Sequence, residues 1–526
     1  MSEPAIVPDL IGGDSVANAA APEIQLVAFS GALSSAASRS AARWWRIADF
    51  GVMGIWVATV GFTLRYHEKW ADEAEAWLIA RDLDLKTIWF HELRYEGTPG
   101  LWHTILWVAQ HMFHARYDAL GYIGMAGATA GVALLIFKAP FPRYIRWPLA
   151  FTYFLVYQYA VIARPYTLLP LLAFAAAMLF KDIQHPGRMT VVLVLLANLS
   201  LHGTILAGCF GLAYLVDALK AWRTLDARTR RKWWICVGVM AAVFVFVVLV
   251  VKPTPDVEDF VFRRNLAKVP AAVRAQFPSR WQKLEALVSG AFLDWLAPSL
   301  LFLSAVTAWL YTRGRLLVFA TSAAALSALY LFHGYAHHHG SVLVALLAVL
   351  WIAWPGPEEL AAFQVNQRRA LAGISTLLLV LCAVNIWDAA VVMRHEYLFP
   401  YSGAGDAARY LKQVGATRGP LFGLGYGMVG VQAYFDRNIL WNTPITYFHH
   451  GVPFSGNDLN ADDVRRIKPE YIVAYSTDPD SAARDRIPYV TAEGYEMVHF
   501  SDGYYFYKRA VYERQAYFIL RRVRSY

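Results

Sequence analysis

Apolar runs of membrane length, or slightly shorter, recur along most of this chain. They fall at about 47–64, 98–113, 118–137, 148–162, 166–181, 189–201, 204–219, 233–251, 296–312, 316–332, 341–354 and 371–392. Backbone in hydrocarbon must satisfy its own hydrogen bonds, so such runs fold as helices. A full crossing takes about 20 residues. Several runs fall short, and short or Pro- and Gly-interrupted segments mark broken helices that line a cavity. Pro165 and His202-Gly203 sit at such breaks. Charged residues make up only 17% of the chain, against about 25% in soluble domains. The expected fold is a polytopic α-helical membrane bundle.

The basic residues orient that bundle. Lys138, Arg143 and Arg146 form one cluster, and Lys220, Arg223, Arg228, Arg230, Arg231 and Lys232 another; Arg313 with Arg315 and Arg368 with Arg369 complete the set. Short loops rich in Lys and Arg mark the cytoplasmic side, so the net charge of +9 reflects topology rather than a nucleic-acid partner. Cys209, Cys236 and Cys382 lie in apolar runs with neither metal spacing nor a disulfide pattern. Twelve alternating crossings from a cytoplasmic N-terminus would return the C-terminus to the cytoplasm. Either 98–113 is not a full crossing or 189–219 is one bent helix, and about eleven transmembrane helices are expected.

Residues 1–44 read as a disordered cytoplasmic tail, rich in Ala, Ser and Pro. The bundle spans 45–392, with external loops at 65–97 and 252–295. Residues 393–526 read as a C-terminal extracytoplasmic α/β domain, with a helix from Ala404 to Val414 and strand-like runs at Tyr471–Tyr475 and Gly503–Tyr507.

Polar residues gather at the external ends of the apolar runs. Asp72 and Glu73 follow the first run. A carboxylate in a partly dry cavity can act as general base on a hydroxyl, and Asp72 would equally suit a helix cap. Glu96 and His103 flank the start of the second run, where Glu96 lines a cavity or is a solvated loop acid, and His103 lines the cavity or is a core histidine. Arg164 and Tyr166, in Ala163-Arg-Pro-Tyr166, join two apolar runs. A lone Arg there takes a phosphate or snorkels to the interface. His202 marks another break. Arg263, Arg264, Lys268, Arg274, Arg280 and Lys283 make the 252–295 loop basic, suited to an anionic headgroup. His337, His338 and His339 adjoin without metal-ligand spacing, which favours phosphate donors over a metal site.

Asp72-Glu73-Ala74 after the first helix, the Glu96–His103 helix start, the Ala163–Tyr166 break, the His337–Gly340 turn and the terminal domain together resemble the GT-C glycosyltransferases that use polyprenyl-phosphate sugars. The protein O-mannosyltransferase and aminoarabinose transferase types are the most similar in look. Those often carry His-Pro-Pro where this chain has Thr98-Pro99-Gly100. The resemblance implies an inverting transferase in the inner (plasma) membrane of the cell envelope. It would move a sugar from a polyprenyl-phosphate donor to a hydroxyl of a glycan, lipid or protein on the extracytoplasmic face. Asp72 would be the base, with Glu73 as second choice. Glu96, His103, Arg164, Tyr166, His202, Arg263, Arg264, His337, His338 and His339 would bind substrate, with no metal and no cofactor. The alternative is a membrane lipid or glycolipid transporter or flippase without transferase activity, which would show repeated halves with matching broken helices; no convincing internal repeat is found.

Overall fold

The computed structural model describes residues 22–254, 279–449, 461–485 and 487–523. Contacts divide the chain into two units, Met1–Val52 and Met53–Tyr526. Helix α1 is continuous over Pro22–Leu64, and its apolar stretch is Arg43–Leu64. Regular helix therefore starts upstream of the expected boundary near residue 45, in an Ala-rich segment of high helix propensity.

Among the described residues, six helices are long and apolar enough to cross a membrane: Arg43–Leu64, α4 (Ala119–Lys138), α7 (Leu201–Lys220), α8 (Ala227–Val251), Ala336–Ala353 and α13 (Val365–Leu398). A pair bent by 68°, α9 (Arg280–Ala291) and α10 (Leu296–Thr312), makes a seventh if counted as one span. Three shorter apolar stretches accompany them: Pro165–Leu179, which includes α5 (Leu169–Leu179), then α6 (Pro186–Ala197), and Leu316–Phe332 within α11 (Leu316–His333). Both runs behind the chain's parity problem contain a helix shorter than a full crossing. The 189–219 run is two helices, α6 and α7, packed on each other across a break at Asn198–Ser200. The 98–113 run is α3 (Leu101–Phe113), only 13 residues. It spans about 20 Å and falls short of the hydrocarbon core.

Every residue of α12 (His339–Ala353) is buried, as expected of a helix apolar on all sides at the centre of a bundle. The basic clusters and the chemical residues lie at opposite ends of shared helices. α7 begins beside His202 and ends at Lys220, and α13 begins beside Arg368 and ends beyond Glu396.

After α13 and α14 (Ala404–Gln413) comes a four-stranded sheet of order β1-β2-β6-β3, with β1 (Leu421–Leu424), β2 (Tyr471–Ser476), β3 (Tyr495–Ser501) and β6 (Ala516–Arg522). Strands β1 and β2 are parallel and the other pairings antiparallel. A separate hairpin joins β4 (Tyr504–Tyr507) and β5 (Ala510–Arg514). The helix and both strands read from the sequence are present, within a residue or so at each end. Alternation along β2 serves two cores. Ile472 and Ala474 pack under the sheet's outer helices, while Tyr471, Val473 and Tyr475 join a cluster with Ala74, Trp77 and Leu78 of α2 (Ala71–Asp82). The sheet is thereby cemented to the helix that begins at the acidic pair.

Candidate active site

Residues distant in sequence meet at the N-terminus of α2. The Arg164 Nη1 donates to Asp72 Oδ2 at 2.5 Å and to His337 Nε2 at 3.3 Å. The Tyr426 hydroxyl donates to the other Asp72 oxygen at 2.7 Å. Asp72 and Arg164 side chains are each 22% exposed, so a substrate can reach the pair. The guanidinium lies 5.9 Å from the ring centroids of both Trp70 and Tyr166. Its Nε–H is enclosed and has no partner within the protein. Burial opposes the Arg164 charge, but Asp72 outweighs it and raises the pKa.

Glu73 faces the other way. It is fully buried, and its Oε1 accepts the Ala163 N–H at 2.8 Å. Its Oε2 meets His67 Nε2 at 2.9 Å and accepts the Trp70 N–H at 3.3 Å, capping the start of α2 from the N3 position. His67 Nδ1 contacts Glu396 at 2.9 Å, and the Tyr157 hydroxyl donates to the same Glu396 oxygen at 2.5 Å. Burial disfavours charge on His67, yet Glu396 and Glu73 on either side raise its pKa to about 10. Burial likewise opposes charge on Glu73, and His67 and the Ala163 N–H outweigh it, so its pKa is lowered. Glu73 thus fixes Ala163, next to Arg164, and leaves no oxygen for a substrate.

The remaining expected residues sort by geometry. His202, His338 and Tyr166 form an aromatic group, with ring centroids 4.4 Å apart for the histidines and 5.4 Å for Tyr166 against each. His337 adjoins them and Arg164. His339 departs from expectation. It opens α12, and the tighter turn Ala336–His338 before it swings its ring away. There its two nitrogens contact Tyr507 and Tyr330 hydroxyls at 2.8 Å each. His103 is buried, and neither ring nitrogen has a hydrogen-bond partner within the protein. Arg263 and Arg264 lie outside the described residues.

Glu96 belongs to an acidic lining. Burial and then Asp72 raise its pKa to about 7, with Arg164 pulling the other way. Glu75, one turn after Asp72 on α2, is raised by burial and by Glu96, and accepts the Phe448 N–H at 2.8 Å. Glu513 of the β4–β5 hairpin is raised to about 7 by burial and Asp72. Glu92 is buried, has one oxygen without a partner and is raised to about 8 by burial and Glu96. Donor atoms of His91, Glu92 and His449 all lie within 4.8 Å of one another, so these three could hold a divalent cation.

Tyr426, His67, Glu396, Glu75 and Glu513 were not legible beforehand. His67 offered the best signal, a polar residue between the first apolar run and the acidic pair.

No protein-family model matches this sequence, and no curated protein matches it. Solved structures do. The crystal structure of ArnT from Cupriavidus metallidurans in the apo state superposes with a TM-score of 0.52, at 13% identity, covering 91% of this chain and 98% of that one. This chain folds like ArnT. The GT-C-type architecture expected from the sequence is the one present. A second crystal structure of the same protein, bound to undecaprenyl phosphate, gives a TM-score of 0.48 at 13% identity, covering 89% of this chain and 97% of that one.

Proposed function

We propose that this protein is a membrane glycosyltransferase that moves a sugar from a polyprenyl-phosphate donor to an acceptor hydroxyl on a glycan, lipid or protein. One observation carries the reading. A partly open carboxylate, Asp72, sits one hydrogen bond from an arginine whose enclosed Nε–H has no partner in the protein. A buried charged donor left unpaired is costly, and a phosphate oxygen matches the guanidinium fork.

In this mechanism Arg164 and His337 hold the lipid phosphate, and Asp72 takes the proton from the acceptor hydroxyl. The acceptor oxygen attacks the anomeric carbon opposite the phosphate. The bond from that carbon to the phosphate oxygen breaks, the configuration inverts, and the lipid phosphate leaves as a stable anion. No general acid is required, because charge growing on the bridging oxygen is met by Arg164. No metal or other cofactor is assigned to this step.

The active end faces the extracytoplasmic side of the inner membrane in this proposal, because the basic clusters gather at the opposite ends of the same helices. An apolar groove of about 660 Å³ between Ile55–Tyr66 and Met393–Tyr397, bordered by Glu396, is where a lipid chain would approach from the bilayer.

The test is transfer by the purified protein in lipid, supplied with a panel of polyprenyl-phosphate sugars and membrane acceptors. The wild type should release polyprenyl phosphate with at least one donor, and Asp72→Asn should not. Equal release by both proteins would sink the role of Asp72.

A further inference from the structure

Strand β1 runs into the turn Gly425-Tyr426-Gly427 and then directly into the short helix α15 (Met428–Gln432). The turn is tightly determined. Gly425 has φ +93°, a conformation that suits glycine. A Cβ at Gly427 would lie 2.1 Å from the Tyr475 ring. The Tyr517 hydroxyl donates to the Gly427 carbonyl at 2.8 Å. Helix α15 packs on α2, close enough that a Cβ at Gly430 would lie 3.6 Å from the Ala71 nitrogen. Tyr426 is therefore held between a fixed sheet and the helix that carries Asp72. The Phe448 ring stands edge-on to it at 5.4 Å.

We propose that Tyr426 is a positioning residue for Asp72, and that the C-terminal domain is by that contact a working part of the catalytic centre. This rests on the reading that Asp72 takes the acceptor proton. The terminal torsion of an aspartate is soft, so a carboxylate held at one oxygen can swing. Arg164 holds Oδ2 and Tyr426 holds Oδ1. Together they fix the carboxylate plane and leave one lone pair on each oxygen for the incoming hydroxyl. Tyr426 keeps its own proton throughout: burial and then Asp72 hold its phenol well above the usual range, so it stays a donor. The acceptor proton goes to Asp72, the new bond forms from acceptor oxygen to anomeric carbon, and the bond to phosphate breaks.

The experiment compares full-length wild type, Tyr426→Phe and a protein carrying 3-fluorotyrosine at position 426. Turnover uses the polyprenyl-phosphate sugar that the wild type accepts, and donor-site binding is read with undecaprenyl phosphate. Tyr426→Phe should lower kcat about tenfold or more, with undecaprenyl phosphate binding nearly unchanged, because a hydrogen bond to a charged group is lost. Fluorotyrosine keeps both the shape and the donor to Asp72, so it should hold kcat much nearer the wild type than Tyr426→Phe does. A Tyr426→Phe enzyme with wild-type kcat, or a fluorotyrosine enzyme as slow as Tyr426→Phe, would overturn the proposal. An active Asp72→Asn enzyme would instead overturn the underlying reading. An inactive Asp72→Asn beside a wild-type-like Tyr426→Phe would reject only the positioning role.

Discussion

Asp72 and Glu73 are adjacent in sequence and opposite in surroundings. Asp72 lies at the open end of α2, shares its oxygens between Arg164 and Tyr426, and is reachable by a substrate. Glu73 lies in a sealed network that ties His67, Glu396, Tyr157 and Ala163 together. Consecutive helix positions point about 100° apart, so one acid faces the cavity and its neighbour faces the seam between helices. In the proposed reading the acidic pair divides its labour: Asp72 would do the chemistry, while Glu73 fixes the backbone at Ala163 beside Arg164.

The division can be broken by substitution. The largest expected effect is Asp72→Asn, which should cost roughly 10²–10⁴ in kcat with an unchanged melting temperature. Glu73→Gln should do the reverse. Removing one partner of a buried charge network costs about 3–5 kcal/mol, so thermal unfolding should come markedly earlier while turnover per folded molecule stays much nearer wild type. A Glu73→Gln protein of native stability and no turnover would exchange the two roles.

A smaller effect is expected from pH. The folded His67 pKa is about 10, above its ordinary 6.5. The stabilisation it brings is therefore fully present below about pH 6.5 and is lost as pH rises through about 10. Melting temperatures measured from pH 6 to 11 should fall across that window in the wild type and fall less in Glu73→Gln. Parallel curves would show that the His67–Glu73 contact does not carry the dependence.

Much of the bundle was legible because hydrocarbon imposes helices, and because polar residues at the ends of apolar runs have few alternatives to a shared cavity. Asp72, Arg164, Tyr166, His202, His337 and His338 come from four separate stretches and do converge. The His339 ring does not, since a single residue of register between a tight turn and α12 decides which way it points. Glu73 could not be told from Asp72, because its partners His67 and Ala163 are 6 and 90 residues away. Tyr426 and Glu513 were hidden for a different reason. They belong to a sheet domain whose helix and strands could be read, but whose docking on α2 depends on which face of β2 turns inward. Nothing in local periodicity marks a Gly-Tyr-Gly turn as aimed at a carboxylate more than 350 residues earlier.

The central claim is that Arg164 seats a lipid phosphate beside a reactive Asp72. Mass spectrometry of lipids retained by the protein when purified gently from its own membrane tests it most directly. Polyprenyl phosphate, free or sugar-linked, should accompany the wild type and Asp72→Asn and be largely lost from a folded Arg164→Ala protein. Its absence from all three, or equal retention by Arg164→Ala, would contradict the account.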